Sequence, residues 1–224
     1  MLLNKINIPL SKGLEMKNYR EDILNNFIER YEKSSYYKGK SLKPQKSSIV
    51  LHERYPQYGQ SRYPEVLEKI EDVVLQLEKE DLIQFAKGSI EGNRKLIFVP
   101  TEERVSKIYQ ELDRTPLKEK RNRYLNCLKM YELDSFFKDF QIAMEEKVFN
   151  YESVLPYLKV YDQEDLKNVM KILQGMKNQE EEISFRKFSE KVLGDTKKLE
   201  KYKNKIYHII KDFYDDSIEN IDDA

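Results

Sequence analysis

Residues 64–100 constrain the fold more than any other part of the sequence. They begin with apolar residues at the i, i+3, i+4, i+7 spacing that gathers side chains on one face of a helix. Pro64 suits the first turn of such a helix, where its missing N–H is harmless. We therefore predict a helix from Pro64 to about Glu80 whose apolar stripe is buried. The stripe consists of Val66, Leu67, Ile70, Val73, Val74 and Leu77.

Two short apolar runs follow this helix, at residues 82–85 and 96–99. Both are rich in β-branched or aromatic residues, and a polar segment containing Gly88 and Gly92 separates them. This pattern indicates a β-hairpin.

The residues before the helix complete a recognisable order of elements. An apolar stripe predicts a first helix over about 19–33, residues 48–51 form a strand candidate, and residues 53–58 a short helix or turn. Helix, strand, short helix, long helix and hairpin is the order of a winged helix, a fold that usually binds nucleic acid or another protein. The alternative is another small α+β subdomain with a helix and a hairpin.

Beyond Pro100 the pattern is almost wholly helical. We predict helices capped by Thr101 and by Asp134 or Ser135, one over 117–133, one ending at Gly175, one over 185–193, and a last one over 199–213 that needs a partner surface. Residues 150–156 interrupt the periodicity. The fold class predicted is α+β, mostly α, with a winged-helix-like arm at 1–112, a helical connector at 113–155, and a second, partly winged-helix-like helical lobe with an acidic tail at 156–224.

Composition argues against several functional classes. The 40 basic and 40 acidic residues balance, so no net charge draws the chain to nucleic acid or to an anionic membrane. One cysteine, Cys127, excludes an internal disulfide, and no apolar run approaches the roughly 20 residues of a membrane span. No targeting segment is recognisable. We expect a soluble, cytoplasmic protein without a membrane partner.

Catalytic patterns are nearly absent from the sequence. His52 and His208 belong to no spaced set of metal ligands. The sequence has no phosphate-binding glycine loop, nucleophile elbow or dinucleotide fingerprint. The aspartates of 215–223 read as a solvated tail. We predict no catalytic residue, no metal ligand and no cofactor in this chain.

The basic residues are grouped more strongly than the net charge suggests. Six of them lie in residues 36–63 with one acid, Glu53, and with interleaved tyrosines, a mixture suited to phosphate contacts and base stacking. A second group lies at 114–123, and the hairpin tip adds a third. The alternative is that these are ordinary solvated lysines. The predicted DNA-binding residues are Lys38, Lys40, Lys43, Lys46, Arg54, Arg62, Lys87, Arg94, Lys95, Lys118, Lys120, Arg121 and Arg123.

Three blocks of this sequence resemble the Wadjet nuclease subunit family, JetD, which is similar to the A subunit of type IIB topoisomerases. The first block is residues 28–39, IERYEKSSYYKG. The second runs from Tyr55-Pro56-Gln57-Tyr58 through the turn at 77–83 to Glu91-Gly92-Asn93. The third, residues 186–200, is the most specific, because it joins Arg-x-Phe-Ser to Gly194-Asp195-Thr196-Lys197.

The resemblance implies a function that the residue patterns alone do not. It implies an arm that grips double-stranded DNA, homodimerisation, and assembly with the subunits of a structural-maintenance-of-chromosomes complex that cleaves invading plasmids. Family members cut DNA with Mg²⁺ held by a Toprim domain, and no matching acidic set follows Glu200 here. We therefore expect a DNA-binding and assembly portion that is not catalytic by itself, with Lys197 as a further phosphate contact. The alternative is a protein-interaction module without nucleic-acid binding.

Overall fold

The computed structural model describes residues 18–131, 133, 137–215 and 217. These residues form a mostly helical α+β structure with a three-stranded antiparallel sheet. The chain divides into two compact units, Met1–Arg114 and Thr115–Ala224. The arm predicted at 1–112 ends two residues before this boundary. The predicted connector and second lobe, 113–155 and 156–224, meet inside the second unit.

Over its described residues, 18–114, the first unit contains four helices and three strands. In chain order they are α1 (Tyr19–Lys33), β1 (Ser47–Val50), α2 (Leu51–Arg54), α3 (Pro64–Lys79), β2 (Gln84–Phe85), β3 (Lys95–Phe98) and α4 (Glu102–Glu111). The sheet order is β1-β3-β2. The helices predicted over 19–33 and from Pro64 to about Glu80 are confirmed, and Thr101 caps α4 by accepting a hydrogen bond from the Arg104 N–H.

The register of the sheet places apolar side chains against the helices. Ser47 pairs with Phe98 and Val50 with Lys95 across β1 and β3. On β3, Leu96 and Phe98 are fully buried, whereas Lys95 is exposed on the opposite face. The Phe98 ring lies 5.3 Å from the ring of Phe27 on α1. The core of this unit therefore lies between α1, α3 and one face of the sheet.

The run predicted as a strand at 82–85 is shorter in the structure. Asp81 adopts a left-handed conformation with φ of 58°. This lets the Leu82 N–H bond the Leu77 carbonyl at 3.0 Å and closes the end of α3. Leu82 and Ile83 belong to that turn and are buried, so only Gln84 and Phe85 pair with β3.

The second unit, over its described residues, is helical. Its α-helices are α5 (Leu117–Lys129), α6 (Lys138–Phe149), α7 (Gln163–Lys177), α8 (Phe185–Leu193) and α9 (Lys203–Phe213), with a 3-10 helix at Lys198–Tyr202. All five α-helices and the 3-10 helix supply side chains to one apolar core. The predicted caps Asp134 and Ser135 and most of the acidic tail lie outside the described residues.

Three predictions for this unit are corrected. Helix α5 ends at Lys129 rather than near residue 133. Gly175 does not end α7 but lies inside it, where an added Cβ would collide with Val192 of α8, so the small residue permits close helix packing. The final helix is divided into a 3-10 and an α segment, and Leu199, Ile206 and Ile209 are buried within this chain's own core.

Candidate nucleic-acid interface

The loop of residues 86–94, which joins β2 to β3, is held by its own backbone. The Ala86 N–H donates to the Lys95 carbonyl at 2.9 Å, and the Asn93 N–H donates to the Ile90 carbonyl at 3.0 Å. The Ser89 hydroxyl accepts from the Lys95 N–H at 3.2 Å. Lys87 and Lys95 are exposed at this loop, so their ammonium groups project from a structured support.

Glu71 of α3 attaches this loop to the rest of the unit. Its carboxylate accepts hydrogen bonds from the Arg94 Nε at 2.5 Å, from the Gly92 N–H at 3.3 Å, and from the Tyr58 hydroxyl. Only 8% of the Glu71 side chain and 15% of the Arg94 side chain are exposed. The Arg94 guanidinium carbon also lies 4.4 Å from the centre of the Phe85 ring. Arg94 therefore serves the internal structure of the loop.

Two glycines allow the loop to approach the chain before α3. Gly59 has φ of +81°, and a Cβ at this position would collide with the carbonyl oxygen of Gly92. Gly92 itself has φ of +74°. Glycine has no Cβ and populates this left-handed region readily, so backbone can pack directly against backbone here.

The predicted DNA-binding lysines of the first unit are mostly free for a ligand. Lys38 is half-buried, and the Arg62 side chain donates to the Gln60 side chain at 3.2 Å. Five other lysines are exposed and form no ion pair with any residue of the described part of the chain. They are Lys40, Lys43, Lys46, Lys87 and Lys95.

Arg54, by contrast, is used inside the unit. Its Nε and Nη2 donate to the two oxygens of Asp22 at 2.9 and 2.8 Å, and the Tyr55 hydroxyl donates to the same carboxylate at 2.6 Å. The hydrogen bond to Asp22 raises the pKa of Arg54. Sequence reasoning missed this pair and the Glu71–Arg94 pair, because the partners lie 32 and 23 residues apart along the chain.

Of the five tyrosines interleaved with these lysines, Tyr36 and Tyr63 are half-buried and the other three are buried. Tyr37, Tyr55 and Tyr58 are buried. Burial is the main cause that raises the pKa of Tyr55 and of Tyr58, with hydrogen bonds to Asp22 and Glu71 adding to it. These three rings stabilise the unit and are not available to stack on bases.

The exposed face of α3 is acidic. Its exposed charged residues are Glu65, Glu68, Lys69, Asp72, Glu78 and Lys79, four acids against two lysines. Phosphate groups are repelled by such a face. If this unit meets a duplex, α3 is not the element that enters the groove.

The predicted basic residues of the second unit differ in their exposure and in the groups that they contact. Lys118 and Lys120 are exposed on α5, and Arg123 pairs with Glu119 one turn away. The Arg121 guanidinium carbon lies 4.5 Å from the centre of the Tyr151 ring, and its Nη1 donates to the Phe149 carbonyl at 3.3 Å. Arg121 therefore packs within the unit.

The 186–200 block forms a structured turn around a buried hydroxyl. Ser189 is fully buried; its hydroxyl donates to the Asp195 carbonyl and accepts from the Leu199 N–H at 3.0 Å. The Asp195 carboxylate accepts a hydrogen bond from the Lys197 N–H at 2.7 Å. The Lys197 side chain is exposed. This conformation needs Gly194, which ends α8 at φ of +69°.

Comparisons with known proteins do not identify a relative. No protein-family model, no curated protein and no solved structure matches the chain. Within the described residues, no cluster of His, Cys, Asp and Glu could hold a metal ion. None of the helices described here is long and apolar enough to cross a membrane.

Proposed function

We propose that the first unit is a winged helix that binds double-stranded DNA through its phosphates. The order α1-β1-α2-α3-β2-β3 with the sheet order β1-β3-β2 supports the fold. In this reading the loop of residues 86–94 is the wing.

The exposed, unpaired lysines carry the proposal. Residues 33–52 contain five lysines and no acid. Three of them, Lys40, Lys43 and Lys46, are exposed without an ion pair in the described structure, as are Lys87 and Lys95 at the wing. Each such ammonium releases counterions when it meets a phosphate, which favours binding to any duplex.

The acidic face of α3 supports phosphate contacts rather than base readout as the mode of binding. Base edges are read by side chains that enter a groove, whereas phosphate contacts fix position without reading sequence. Because the free cations lie on the wing and on the lysine segment, we expect duplexes of unrelated sequence to bind equally well.

The family resemblance extends the proposal to a biological setting. We propose that the chain acts as the DNA-binding and assembly portion of a Wadjet-type plasmid-defence nuclease, as a homodimer beside structural-maintenance-of-chromosomes subunits. Mg²⁺ and strand cleavage belong to the family's Toprim domain. This chain alone is therefore expected to leave plasmid DNA intact in the presence of Mg²⁺.

A salt titration of duplex binding tests the proposal. Five phosphate contacts predict a slope of log Kobs against log salt of about −4.5, or a loss of about 500-fold between 50 and 200 mM salt. Replacing Lys87 and Lys95 with glutamate should weaken binding and lower the slope. Lys69→Glu/Lys79→Glu, on the acidic face of α3, is the matched control and should change neither. Absence of duplex binding at low salt overturns the proposal.

The acidic face of α3 favours a second candidate function. Leu75 is 46% exposed among its acids, a composition suited to a basic, partly apolar protein partner. This alternative, a protein-interaction module, predicts no duplex binding in the same titration.

A further inference from the structure

A groove of about 230 Å³ lies where α1 ends and the chain enters β1. Its lining includes Arg30 and Lys33 of α1, Lys46 from the segment before β1, and the hydroxyl-bearing Tyr31 and Ser47. Buried Phe98 of β3 also contributes to the wall. Three cationic side chains thus meet at one concave site.

Among the residues that the structure describes, no carboxylate lines this groove. The two acids of the last turns of α1 are engaged with other residues. Glu32 accepts from the Tyr109 hydroxyl at 2.8 Å and pairs with Arg114, and Glu29 lies 4.0 Å from the same Arg114. The positive charge of the groove is therefore not cancelled by its own helix.

The cations combine one fixed group with two movable ones. The Arg30 Nη1 donates to the Ser48 carbonyl at 2.6 Å, which holds the guanidinium against β1. Lys33 and Lys46 are exposed and pair with no residue in the described ranges. Tyr31 also lines the groove, and burial raises the pKa of its hydroxyl, so this residue adds no negative charge.

The C-terminal end of a helix, such as that of α1 at this groove, carries about half a negative charge, which opposes the binding of an anion. Here the opposition is reduced, because the Tyr31 carbonyl already accepts from the Ser34 N–H at 3.0 Å and from the Ser34 hydroxyl at 2.6 Å. The three full positive charges of Arg30, Lys33 and Lys46 exceed the partial negative charge that remains at the end of α1.

We propose that this groove binds one phosphate group of the DNA backbone, an inference that rests on the proposed function. The groove and the wing lie at opposite ends of β1 and β3, since Ser47 pairs with Phe98 and Val50 with Lys95. Three residues of strand separate them by about 10 Å. Lys40 and Lys43 precede Lys46 on the same segment of the chain and are exposed.

The double variant Lys33→Gln/Lys46→Gln tests this inference in the full chain. Loss of one phosphate contact should reduce the slope of log Kobs against log salt by about 1. The control, Lys69→Gln/Lys79→Gln, removes two exposed lysines of α3 and should leave the slope unchanged. Unchanged thermal unfolding of both variants shows that the fold is intact. A slope equal to the wild-type value overturns the inference and also removes Lys46 from the contacts of the proposed function, which then rests on Lys40, Lys43, Lys87 and Lys95.

A second measurement separates this inference from the proposed function. Titration with inorganic phosphate should shift the amide resonances of Ser34 and Ser47 in the wild type but not in Lys33→Gln/Lys46→Gln. If the wild type fails to bind any duplex and phosphate still shifts these amides, the proposed function fails while the groove remains a phosphate site. If phosphate shifts neither amide, the groove is not a phosphate site.

Discussion

Replacing Glu71 with alanine should loosen the loop of residues 86–94 and destabilise the first unit. The carboxylate is the shared acceptor for Arg94, for the Gly92 N–H and for the Tyr58 hydroxyl. Without it, the guanidinium of Arg94, whose side chain is 15% exposed, has lost its counterion. Breaking one side of a buried pair costs about 3–5 kcal/mol. Because Arg94 keeps some contact with water, we expect Glu71→Ala to cost about 3 kcal/mol, at the lower end.

The assay must report on the first unit alone, because two units of one chain need not unfold together. Urea unfolding followed by the amide resonances of Leu96 and Ile97 meets that need. Glu68→Ala, on the exposed face of α3, is the matched control and should stay within about 0.5 kcal/mol of the wild type.

A double-mutant cycle isolates the ion pair. The cost of Glu71→Ala/Arg94→Ala should be smaller than the sum of the single costs by about 1–3 kcal/mol, because removing both partners leaves no buried charge unpaired. Glu71→Gln keeps an oxygen for Gly92 and Tyr58, so it should cost less than alanine. Strict additivity of the two single variants, or a loss below about 1 kcal/mol for Glu71→Ala, would refute the reasoning.

Three further predictions concern stability and reactivity. Ser189→Ala should lower the free energy of unfolding of the second unit in urea by about 2–3 kcal/mol, because it leaves a buried carbonyl and a buried N–H without a partner. Ser184→Ala removes only the cap of α8 and should cost about 1 kcal/mol, so equal costs would contradict this prediction. Burial raises the pKa of Tyr58, Tyr109 and Tyr124, so the folded chain retains protons that the unfolded chain loses above about pH 10. The melting temperature should therefore be steady below that pH and fall as pH rises through it. Tyr124→Phe should reduce this fall without lowering the melting temperature at neutral pH, since the Tyr124 hydroxyl has no hydrogen-bond partner among the described residues. A steeper fall of the melting temperature in the variant would contradict this prediction. Burial also raises the pKa of the Cys127 thiol, so a disulfide reagent should modify it slowly in the folded chain and rapidly in urea, and equal rates would show that the site is open.

The candidate site was predicted only in part, and the reason is the range of the interactions. Grouping along the sequence located Lys40, Lys43, Lys46, Lys87 and Lys95, which the structure leaves exposed. It could not show that Arg54 and Arg94 are held by distant carboxylates. One signal was present: Glu71 follows Ile70 on the apolar stripe of α3, and a buried carboxylate requires donors. The donors themselves cannot be named from local spacing.

The sequence by itself determined the order of the elements in the first unit, because helix periodicity, Pro64, the Thr101 cap and the hairpin glycines act over a few residues. Tertiary structure decided which charges are available. The pairs Asp22–Arg54 and Glu71–Arg94, the division of the final helix, and the gathering of Arg30, Lys33 and Lys46 around one groove all depend on which segments fold against one another. A charged side chain is free or neutralised according to the neighbours that folding brings to it, and those neighbours are separated along the chain.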